Sequence, residues 1–464
     1  MKLKKIIFVA FWASMYVLPS MAQTEKLSIA QCVEYALKNN NGMKNSALDQ
    51  QRAQAQVNQI KGVGLPQITG SVDLNFNIGI PSQFLPDFIS PAVYGVLLRE
   101  GVLPPTTPIP AAGIFPAQFG TNYSAAAGLA LSQIIFSPSY LIGLKAAKES
   151  KNLYQNQTNI SAFNLKETVQ KAALGYIVAQ KRQQILVANL DRLKEALRQT
   201  EGYYKAGFVE KIDVDRLTVT QNNLLVEAQN VAQLVALAGA ALKYTMGMPL
   251  ATELAITDDL DQLTAAAPEL NETLNVEKRP EYQTANSGKT LQELSLRNAK
   301  AAYLPNFVGF ATVGANAGAN EFGRLKNFTG TNKSWFGYQI VGFKLAVPVF
   351  NGFQTKYRIQ EAKIDLQKTQ NTINDLGQVF ELQTTQAKTN LKASYERLAI
   401  QKQNLALAQE VLRVSQIKYK EGLGSNLEVV SAEASLKETQ TNYFVAMYEF
   451  LVAKVDYNKA LGNL

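Results

Sequence analysis

The two halves of this 464-residue chain repeat each other at a constant spacing of 215 residues. Such a repeat constrains the fold more strongly than length does, because each copy builds the same supersecondary unit. Identity between the halves is low, but it is concentrated around Tyr-Lys-x-Gly, and Leu65-Pro66 recurs upstream as Leu304-Pro305. The pairs at the constant spacing are Glu195/Glu410, Leu197/Leu412, Arg198/Arg413, Tyr204/Tyr419, Lys205/Lys420, Gly207/Gly422, Val214/Val429 and Gly247/Gly462. We therefore expect an internal two-fold structural repeat.

Each half contains two segments in which apolar and polar residues alternate, as they do in strands with one apolar face. In the first half, apolar or small residues hold the even positions from Ile68 to Ile80 and the odd positions from Tyr123 to Leu131. The second half alternates more weakly, over Phe307–Ala317 and Phe343–Val349. Strands are predicted over about 66–80, 121–136, 304–318 and 335–350. A half-buried sheet on a soluble domain is the alternative for this pattern.

The segments around these strands suggest a membrane barrel. Trp335, Phe336 and Tyr338 open the fourth predicted strand, where the aromatic girdle of such a barrel is expected. The loops between paired strands, about 81–118 and 319–334, are long, as on the cell-exterior side of these barrels. The first loop contains eight prolines, so we predict that it holds no helix.

Two very long helices are predicted after the strand pairs. Proline is absent from about Ser139 to Gly202 and from about Thr355 to Lys418, and at 1.5 Å per residue each stretch would span roughly 95 Å. Recurring charges exclude a membrane-spanning role for them. The first stretch has an incomplete heptad repeat, interrupted at Gln183. The second has a full one, which predicts coiled-coil packing; its members are Leu391, Leu398, Leu405, Leu412 and Tyr419.

A glycine ends each heptad stretch, and an acidic residue opens the helix that follows. Gly207 and Gly422 suit the left-handed conformation that ends a helix. Asp213 and Glu428 suit the positive start of the next helix. Each half is thus predicted to end in an antiparallel helical hairpin, with tips at about 203–213 and 419–428.

The first 22 residues are typical of a secretory signal peptide. Lys2, Lys4 and Lys5 precede an apolar run, and Ser20 and Ala22 supply the small residues that a signal peptidase needs. The run is shorter than the roughly 20 apolar residues of a spanning helix, although a retained membrane anchor is the alternative. Without the segment the formal net charge of +9 falls to about +6, spread thinly along the chain, so nucleic-acid binding is not expected.

The chain has one cysteine, Cys32, and no histidine. One thiol forms neither an intrachain disulfide nor a Cys/His zinc site, and Cys32 is predicted to be a buried helix residue. The absence of histidine removes the commonest general base and the Ser-His-Asp triad. Acidic pairs such as Asp258-Asp259 lie in a polar loop and suit a solvated surface. We expect no enzymatic activity, no metal and no cofactor.

Four strands are too few to close a barrel, and an open sheet edge cannot face lipid. If the strands face lipid, several chains must combine them, and three chains would supply twelve, an even number of the kind such barrels use. The same threefold arrangement would gather the long helices into a tube that continues the pore.

In this order of elements the chain resembles the outer-membrane efflux protein family, whose members are TolC-like channels. Each motif alone is weak, but their order and spacing are specific and cover nearly the whole mature chain. The motifs are Leu27-Ser28-Ile29, Ala36-Leu37-Lys38-Asn39-Asn40, Val347-Pro348-Val349-Phe350-Asn351-Gly352, Tyr419-Lys420-Glu421-Gly422, Leu427-Glu428-Val429-Val430-Ser431-Ala432 and Ala460-Leu461-Gly462. The resemblance implies a mixed α and β membrane protein: a trimeric twelve-stranded outer-membrane β-barrel, four strands per chain, continued by a long α-helical coiled-coil barrel.

The resemblance also implies where the channel closes. Channels of this kind narrow at the helical tips, where carboxylates from three chains ring the pore. Glu428 holds the position of the first such carboxylate, and Asp213 holds the matching place in the first hairpin. Ser431 stands where a second carboxylate is expected one turn on, which predicts weaker cation trapping. Helix capping is the alternative role for both acids. The tips, with Tyr204, Gly207, Tyr419 and Gly422, are expected to dock the adaptor.

The expected function is the outer-membrane channel subunit of a tripartite efflux pump. Its implied partners are two further copies in a homotrimer, a periplasmic adaptor (membrane fusion) protein, an inner-membrane pump and outer-membrane lipid. The alternatives are a component of a type I protein secretion system and a soluble periplasmic coiled-coil protein. The expected location is the outer membrane of a Gram-negative bacterium, with the helical part in the periplasm. The expected domains are 1–22 (signal peptide), 23–250 (first repeat), 251–276 (irregular equatorial segment) and 277–464 (second repeat).

Overall fold

The computed structural model describes residues 25–111 and 113–464. The predicted signal peptide, residues 1–22, lies outside the described residues. The first half contains β1 (Glu25–Leu27), α1 (Ile29–Asn39), α2 (Asn41–Val63), β2 (Gln67–Phe76), β3 (Ser82–Pro86), α3 (Ile89–Arg99), β4 (Ile114–Gln118), β5 (Tyr123–Phe136), α4 (Pro138–Lys205) and α5 (Lys211–Met246). The second contains β6 (Leu254–Ile256), α6 (Leu260–Ala265), α7 (Pro280–Ala301), β7 (Asn306–Ala319), β8 (Trp335–Ala346), α8 (Gln354–Lys420) and α9 (Asn426–Leu461), with 3-10 turns at Val276–Lys278 and Phe322–Lys326.

The chain folds into two compact units, each of which takes segments from both halves of the sequence. The helical unit comprises the described residues up to Ala55, Lys148–Glu293 and Lys363–Leu464. The sheet unit comprises Gln56–Ala147 and Leu294–Ala362. The units therefore do not follow the predicted repeats at 23–250 and 277–464, because strands from the two halves pair with each other. The division into repeats remains a prediction.

Two long helical hairpins make up most of the helical unit, and their helices match in length. α4 and α5 have 68 and 36 residues, whereas α8 and α9 have 67 and 36. The predicted heptad is buried at Leu391, Leu398 and Leu412. The core of the first hairpin is formed by Leu186, Leu190 and Leu193 with Leu217, Leu224 and Val231. That of the second is formed by Leu412 with Val429, Ala432 and Leu436. These spacings of three, four and seven residues are those of a coiled coil.

Glycines end these helices in the left-handed conformation, as predicted. Gly207 and Gly422 follow α4 and α8 with φ angles of 80° and 74°. Gly247 and Gly462 end α5 and α9 with φ angles of 72° and 83°. A side chain would be strained at these angles, whereas glycine adopts them freely.

Cys32 lies in α1 with no exposed surface, so the prediction of a buried helix cysteine is confirmed. It packs in a cluster with Val169, Leu242 and Met246. Burial raises the pKa of its thiol to about 11, helped by the nearby carboxylate of Asp258. The thiol therefore stays protonated at neutral pH and is a poor nucleophile.

Arg279 is a buried cation in the helical unit, with 3% of its surface exposed. Its guanidinium forms two 3.1 Å hydrogen bonds with the carboxylate of Glu281. It also donates to the backbone oxygens of Lys459 and Ala460 at 3.2 and 3.0 Å, and stacks 4.2 Å from the ring of Phe380. A buried charge is stable only when it is paired in this way, so Arg279 joins the start of α7 to the end of α9.

The sheet unit is built on four antiparallel strands in the order β2-β5-β7-β8. The register places Gln67 opposite Ser132, Phe136 opposite Phe307 and Asn306 opposite Ala346. The strand ends that join α2, α4, α7 and α8 therefore meet at one end of the sheet, called here the helix end. The loops that connect paired strands leave from the other end, the loop end. Among the described residues, the outer edges of β2 and β8 have no strand partner.

The register separates two faces of different polarity, because opposite residues of an antiparallel pair lie on the same face. The apolar face carries Ile68, Val72, Leu74, Phe76, Tyr123, Leu129, Leu131, Phe307, Val313, Val341, Phe343 and Leu345. The other face, called here the polar face, carries Thr69, Ser71, Asp73, Asn75, Ser124, Thr312, Asn316 and Lys344 together with Val308, Phe310, Phe336, Tyr338 and Ile340. Val72 and Val341 are 82% and 81% exposed. The described chain thus leaves most of the apolar face uncovered.

Residues 81–118 do contain a helix, so the prediction that this loop holds none was wrong. Pro91 is the third residue of α3, within the first turn, where backbone N–H groups have no intrahelical acceptor. Proline is tolerated there, and the eight residues that follow it in α3 contain no other proline. β3 and β4 pair on either side of α3, with Phe84 opposite Pro116.

The three aromatic residues predicted to form one girdle do not share a face. Trp335 lies on the apolar face opposite Ala317, whereas Phe336 and Tyr338 lie on the polar face, because successive strand residues alternate. Aromatic side chains of the apolar face do gather at both sheet ends. The ring centroids of Phe76 and Tyr123 are 4.9 Å apart at the loop end, and those of Phe307 and Phe343 are 5.6 Å apart at the helix end.

Two strands stop before their predicted limits at 80 and 350. β2 ends at Phe76, where Asn77 turns to donate backbone and side-chain hydrogen bonds to Asn122 and Thr121, each of 2.8 Å. β8 ends at Ala346, two residues before Pro348, which has no N–H for a strand ladder.

Candidate functional site

The first tip, residues 203–213, and the second tip, residues 419–428, have the same backbone turn. The N–H groups of Gly207 and Gly422 bond to the carbonyl oxygens of Tyr204 and Tyr419 at 3.0 and 3.1 Å. In each tip the next residue bonds one turn back, Phe208 to Tyr203 at 2.9 Å and Leu423 to Lys418 at 2.8 Å. These bonds satisfy carbonyls that the helix end would otherwise leave free.

The two predicted constriction carboxylates hold the same place, the third residue of α5 and of α9. The side chain of Asp213 is largely buried and lies 3.7 Å from the guanidinium of Arg216. Glu428 is exposed and has no ion-pair partner in the part of the chain that the structure describes. Ser431 is also exposed, close to one helical turn beyond Glu428.

Neither carboxylate is the residue that caps its helix. The hydroxyl of Ser425 accepts the backbone N–H of Glu428 at 3.3 Å and thereby caps α9. Glu210 holds the capping position of α5, and its side chain makes no capping hydrogen bond. Asp213 and Glu428 still lie where the positive end of a helix favours a negative charge.

A buried asparagine brings the two tips together. Asn426, the first residue of α9, is 4% exposed, and its amide donates to the backbone oxygen of Asp213 at 3.1 Å. Farther along the hairpins, Asn189 donates to the side-chain oxygen of Gln440 at 2.7 Å. Sequence reasoning missed both links. The repeat does not reveal Asn426, because the residue at its place in the first half is Lys211.

The paired tyrosines at the tips differ in environment. Tyr204 is 45% exposed. Tyr419 is half-buried beside the cluster of Leu412, and its buried hydroxyl has no hydrogen-bond partner among the described residues. The most exposed apolar side chains of the tips are Phe208 and Leu423, at 80% and 83%. Sequence reasoning missed these two, although each directly follows the turn glycine.

Two clefts separate the hairpins near their tips. One, of about 560 Å³, lies between α4, α5 and α9, and the other, of about 520 Å³, lies between α4, α8 and α9. Glu433 of α9 lines both. Burial raises the pKa of its carboxyl above the ordinary value, and the charge of Arg192 opposes that effect. The hairpins are therefore loosely packed around an ionisable group.

The tips offer acidic and exposed apolar side chains rather than ligands for a metal. Among the described residues no group of three or more Cys, Asp or Glu could hold a metal ion. Carboxylates at a narrow tip would attract cations, and exposed apolar side chains would suit a protein partner.

Residues 279–463 match the family described as "Outer membrane efflux protein". The chain is 25% identical over 318 residues to the "Probable efflux pump outer membrane protein TtgC" of Pseudomonas putida KT2440, which covers 67% of this chain and 58% of TtgC. It is 22% identical over 485 residues to the "Outer membrane protein TolC" of Escherichia coli K12, covering 100% and 87%. The alignments span 58–60% of the length of the first curated relatives.

The fold is similar to that of a crystal structure of CusC, with a TM-score of 0.70 at 18% identity, covering 94% of this chain and 92% of CusC. The chain thus has the mixed α and β fold of TolC-like channels. These curated relatives are named as outer membrane proteins, TtgC as one of an efflux pump. The expected location in the outer membrane agrees with the names of these relatives. The chain is therefore similar to outer membrane efflux proteins in sequence over residues 279–463, and its fold is similar to that of CusC.

Proposed function

We propose that the chain is the outer-membrane channel subunit of a tripartite efflux pump. In this role it passes substrates from a periplasmic adaptor and an inner-membrane transporter to the cell exterior. The sheet unit carries the proposal, because it has an uncovered apolar face and two edges without strand partners. Such a sheet is stable when the face meets lipid and the edges are paired, and closed barrels meet both needs.

Three copies would supply the missing partners. Pairing β2 of one copy with β8 of the next would close a barrel of twelve strands, four from each chain, within the even range such barrels use. α5 supports an oligomer as well, because Val219, Val226 and Leu237 are 59%, 55% and 68% exposed. α5 is the one described helix whose length and composition would suit a membrane span. Its other face packs on α4, so we assign the exposed side chains to contact with neighbouring copies.

The channel function is tested by electrical recording. The purified protein should insert into planar lipid bilayers and give steady conductance steps, and in detergent it should have three times the mass of one chain. Recovery of the protein in the soluble periplasm, after lysis without detergent, would contradict the proposal.

We place the pore constriction at Asp213, Glu428 and Ser431, in the first turns of α5 and α9. The link from Asn426 to the backbone of Asp213 supports this assignment, because it holds the two acidic turns together. Replacing both carboxylates, with Asp213→Ala and Glu428→Ala, should raise the single-channel conductance and weaken block by cations. The matched control is Glu195→Ala with Glu410→Ala, which removes two exposed carboxylates outside the tips. Unchanged conductance in the tip variant would contradict the assignment.

We propose that the tips dock the adaptor through Tyr204 and the turns at Gly207 and Gly422, with Tyr419 supporting the second turn from within. Phe208 and Leu423 extend this surface, because they are the most exposed apolar side chains of the tips. Phe208→Ser with Leu423→Ser should abolish chemical cross-linking to the adaptor and leave the conductance unchanged. Persistence of cross-linking would show that docking uses other residues.

A further inference from the structure

The helix end of the sheet unit carries an excess of positive charge. Four segments meet there, namely 56–66, 137–147, 294–305 and 347–362, and together they contain six cations and one carboxylate, Glu361. We call the six cations the basic collar: Lys61, Lys145, Arg297, Lys300, Lys356 and Arg358. All six are exposed, and none forms an ion pair with a described residue. A cluster of unpaired cations attracts an anionic partner.

The fold, not the sequence order, gathers these cations. The register brings the start of β2, the end of β5, the start of β7 and the end of β8 to the same end of the sheet. Lys61 and Lys300 each lie six residues before the first residue of a strand, β2 and β7 respectively. Lys356 and Arg358 lie in the first two turns of α8. Each strand of the sheet is thus joined at this end to a segment that contains at least one collar cation.

Exposed apolar side chains lie between the collar and the apolar face. Leu65, Tyr303 and Phe350 are 62%, 53% and 75% exposed. They lie just outside the strands at this end, and the last residues of the apolar face on β8, Phe343 and Leu345, are 69% and 62% exposed. Apolar and aromatic side chains followed by cations are the composition that proteins present to the boundary between acyl chains and headgroups.

A strained turn presents part of this surface. Phe353 has a φ angle of 63°, the one positive φ of a non-glycine residue among the described residues. This conformation costs free energy for a bulky side chain and persists where its surroundings hold it. Yet Phe353 is 59% exposed, and its ring lies near Phe350 and the Lys356 ammonium, at 5.5 and 5.8 Å. The exposed ring therefore lacks the packing that would offset the strain.

The opposite end of the sheet carries a smaller excess of positive charge, with four cations and three carboxylates in 77–122 and 320–334. There the exposed arginines have acidic partners, with Arg99 3.2 Å from Glu100 and Arg324 3.6 Å from Glu321. Lys326 and Lys333 of the loop end form no ion pair with a described residue, so the helix end differs in having six unpaired cations against these two.

We propose that the basic collar binds the phosphate groups of anionic phospholipids in the membrane leaflet at the helix end of the barrel. The inference rests on the proposed function, because it requires the apolar face to lie in a bilayer. The apolar side chains next to the collar would enter the acyl chains, while the cations meet the phosphates. Each Lys or Arg near an anionic surface strengthens binding by about fivefold, so phosphatidylglycerol should be enriched there over phosphatidylcholine.

Tryptophan quenching by brominated lipids tests this inference in the mature channel, from which the predicted signal peptide with Trp12 has been removed. Trp335 reports on the loop end, and Trp335→Phe with Tyr303→Trp moves the reporter to the collar. Brominated phosphatidylglycerol should quench the reporter at position 303 at least about fivefold more effectively than brominated phosphatidylcholine. The preference should vanish at high salt, since exposed charges are screened, and Trp335 should show none.

Two charge variants complete the test. Lys61→Gln, Lys300→Gln, Lys356→Gln and Arg358→Gln together should abolish the preference at position 303. The same number of substitutions at the tips, Lys205→Gln, Lys211→Gln, Lys418→Gln and Lys420→Gln, should leave it intact.

Equal quenching by both lipids, or a preference that survives the collar variant, would overturn the inference. A collar variant that instead changes the ion selectivity of the pore would place the cations in the lumen and overturn it as well. If neither reporter is quenched by any lipid, membrane insertion and the proposed function both fail.

Discussion

The two helical hairpins have nearly the same backbone and different tips. α4 and α8 differ by one residue in length, and α5 and α9 do not differ at all. Even a surface ion pair is kept at the constant spacing, since Arg198 lies 2.6 Å from Glu195 and Arg413 lies 2.7 Å from Glu410. In both pairs the arginine lowers the pKa of the glutamate carboxyl, for Glu195 to about 2.

The second tip is held more firmly than the first. Ser425 caps α9 and Asn426 reaches the first tip, whereas Glu210 and Lys211 hold these places in α5 and do neither. Tyr419 is packed where Tyr204 is exposed. Two tips with the same backbone therefore differ in their contacts. The second tip donates the hydrogen bond that joins them, and the first tip provides the acceptor. Four experiments test this difference between the tips.

The largest difference between the hairpins is expected in the stability that each loses when a core leucine is truncated. Leu412 is 2% exposed, and Leu197, at the same place in the first hairpin, is only half-buried. Leu412→Ala should lower the free energy of local opening of the second hairpin by about 3 kcal/mol, because it leaves a cavity. Leu197→Ala should lower that of the first by about 1 kcal/mol, because less surface is buried. Native-state hydrogen exchange measures both, and equal losses would refute the contrast.

Loss of the link between the tips should have the next largest effect. Asn426→Ala removes the hydrogen bond to the backbone oxygen of Asp213, which should lower the free energy that holds the tips together by about 1–2 kcal/mol. Distances between spin labels at Ile212 and Leu427 should then become broader. Lys211→Ala is the matched control in the first tip and should leave the distances unchanged. An unaltered distribution in Asn426→Ala would mean that other contacts hold the tips.

The two helix starts should respond differently to loss of their capping residues. Ser425→Ala should destabilise the first turn of α9 by about 1 kcal/mol, since the N–H of Glu428 loses its acceptor. Ser425→Gly should destabilise the same turn by only roughly a few tenths of a kcal/mol. Glu210→Ala should have no effect on α5, because its side chain makes no capping bond. Exchange rates of the amide protons in the two first turns provide the measurement, and comparable changes in Ser425→Ala and Glu210→Ala would contradict this.

The smallest expected effect is a pH dependence of the stability of the second hairpin. Burial raises the pKa of the Glu433 carboxyl above its ordinary value of 4.5, so the folded hairpin binds this proton more tightly than the unfolded chain does. Its stability should therefore rise as the pH falls from neutral through the raised pKa, and this gain should be complete once the pH is below 4.5. Thr218 holds the same place in the first hairpin and does not titrate.

Hydrogen exchange of α9, corrected for intrinsic rates, should show protection that increases on acidification. In Glu433→Gln the protection should lose this dependence. A dependence of opposite sign, or one that persists in Glu433→Gln, would assign the effect to another group.

Much of the local structure could be predicted because it depends on neighbours in the sequence. The left-handed glycines, the long helices without proline and the alternating strands are confirmed for this reason. The prediction of no helix in 81–118 failed because the position of a proline matters more than the number of prolines. Pro91 lies in the one turn of α3 where proline is tolerated.

The candidate site was predicted less completely. The positions of Asp213 and Glu428 in the first turns follow from the sequence, whereas their role at a constriction remains a prediction. Phe208 and Leu423 carry a local signal, since each follows a turn glycine at the constant spacing. Asn426 carries none, because its partner, the backbone oxygen of Asp213, is 213 residues away.

The duplicated order of helices, strands and turns follows from local sequence alone, because periodicity and turn residues act over a few positions. Whether two copies of a repeated residue have the same environment depends on the tertiary fold. Tyr204 and Tyr419 share their local sequence and differ in burial, and Trp335 and Phe336 are neighbours on opposite faces. The basic collar likewise comes from four distant segments that the sheet register brings to one end. The physical reason is that burial and pairing depend on distant parts of the chain, which no local pattern records.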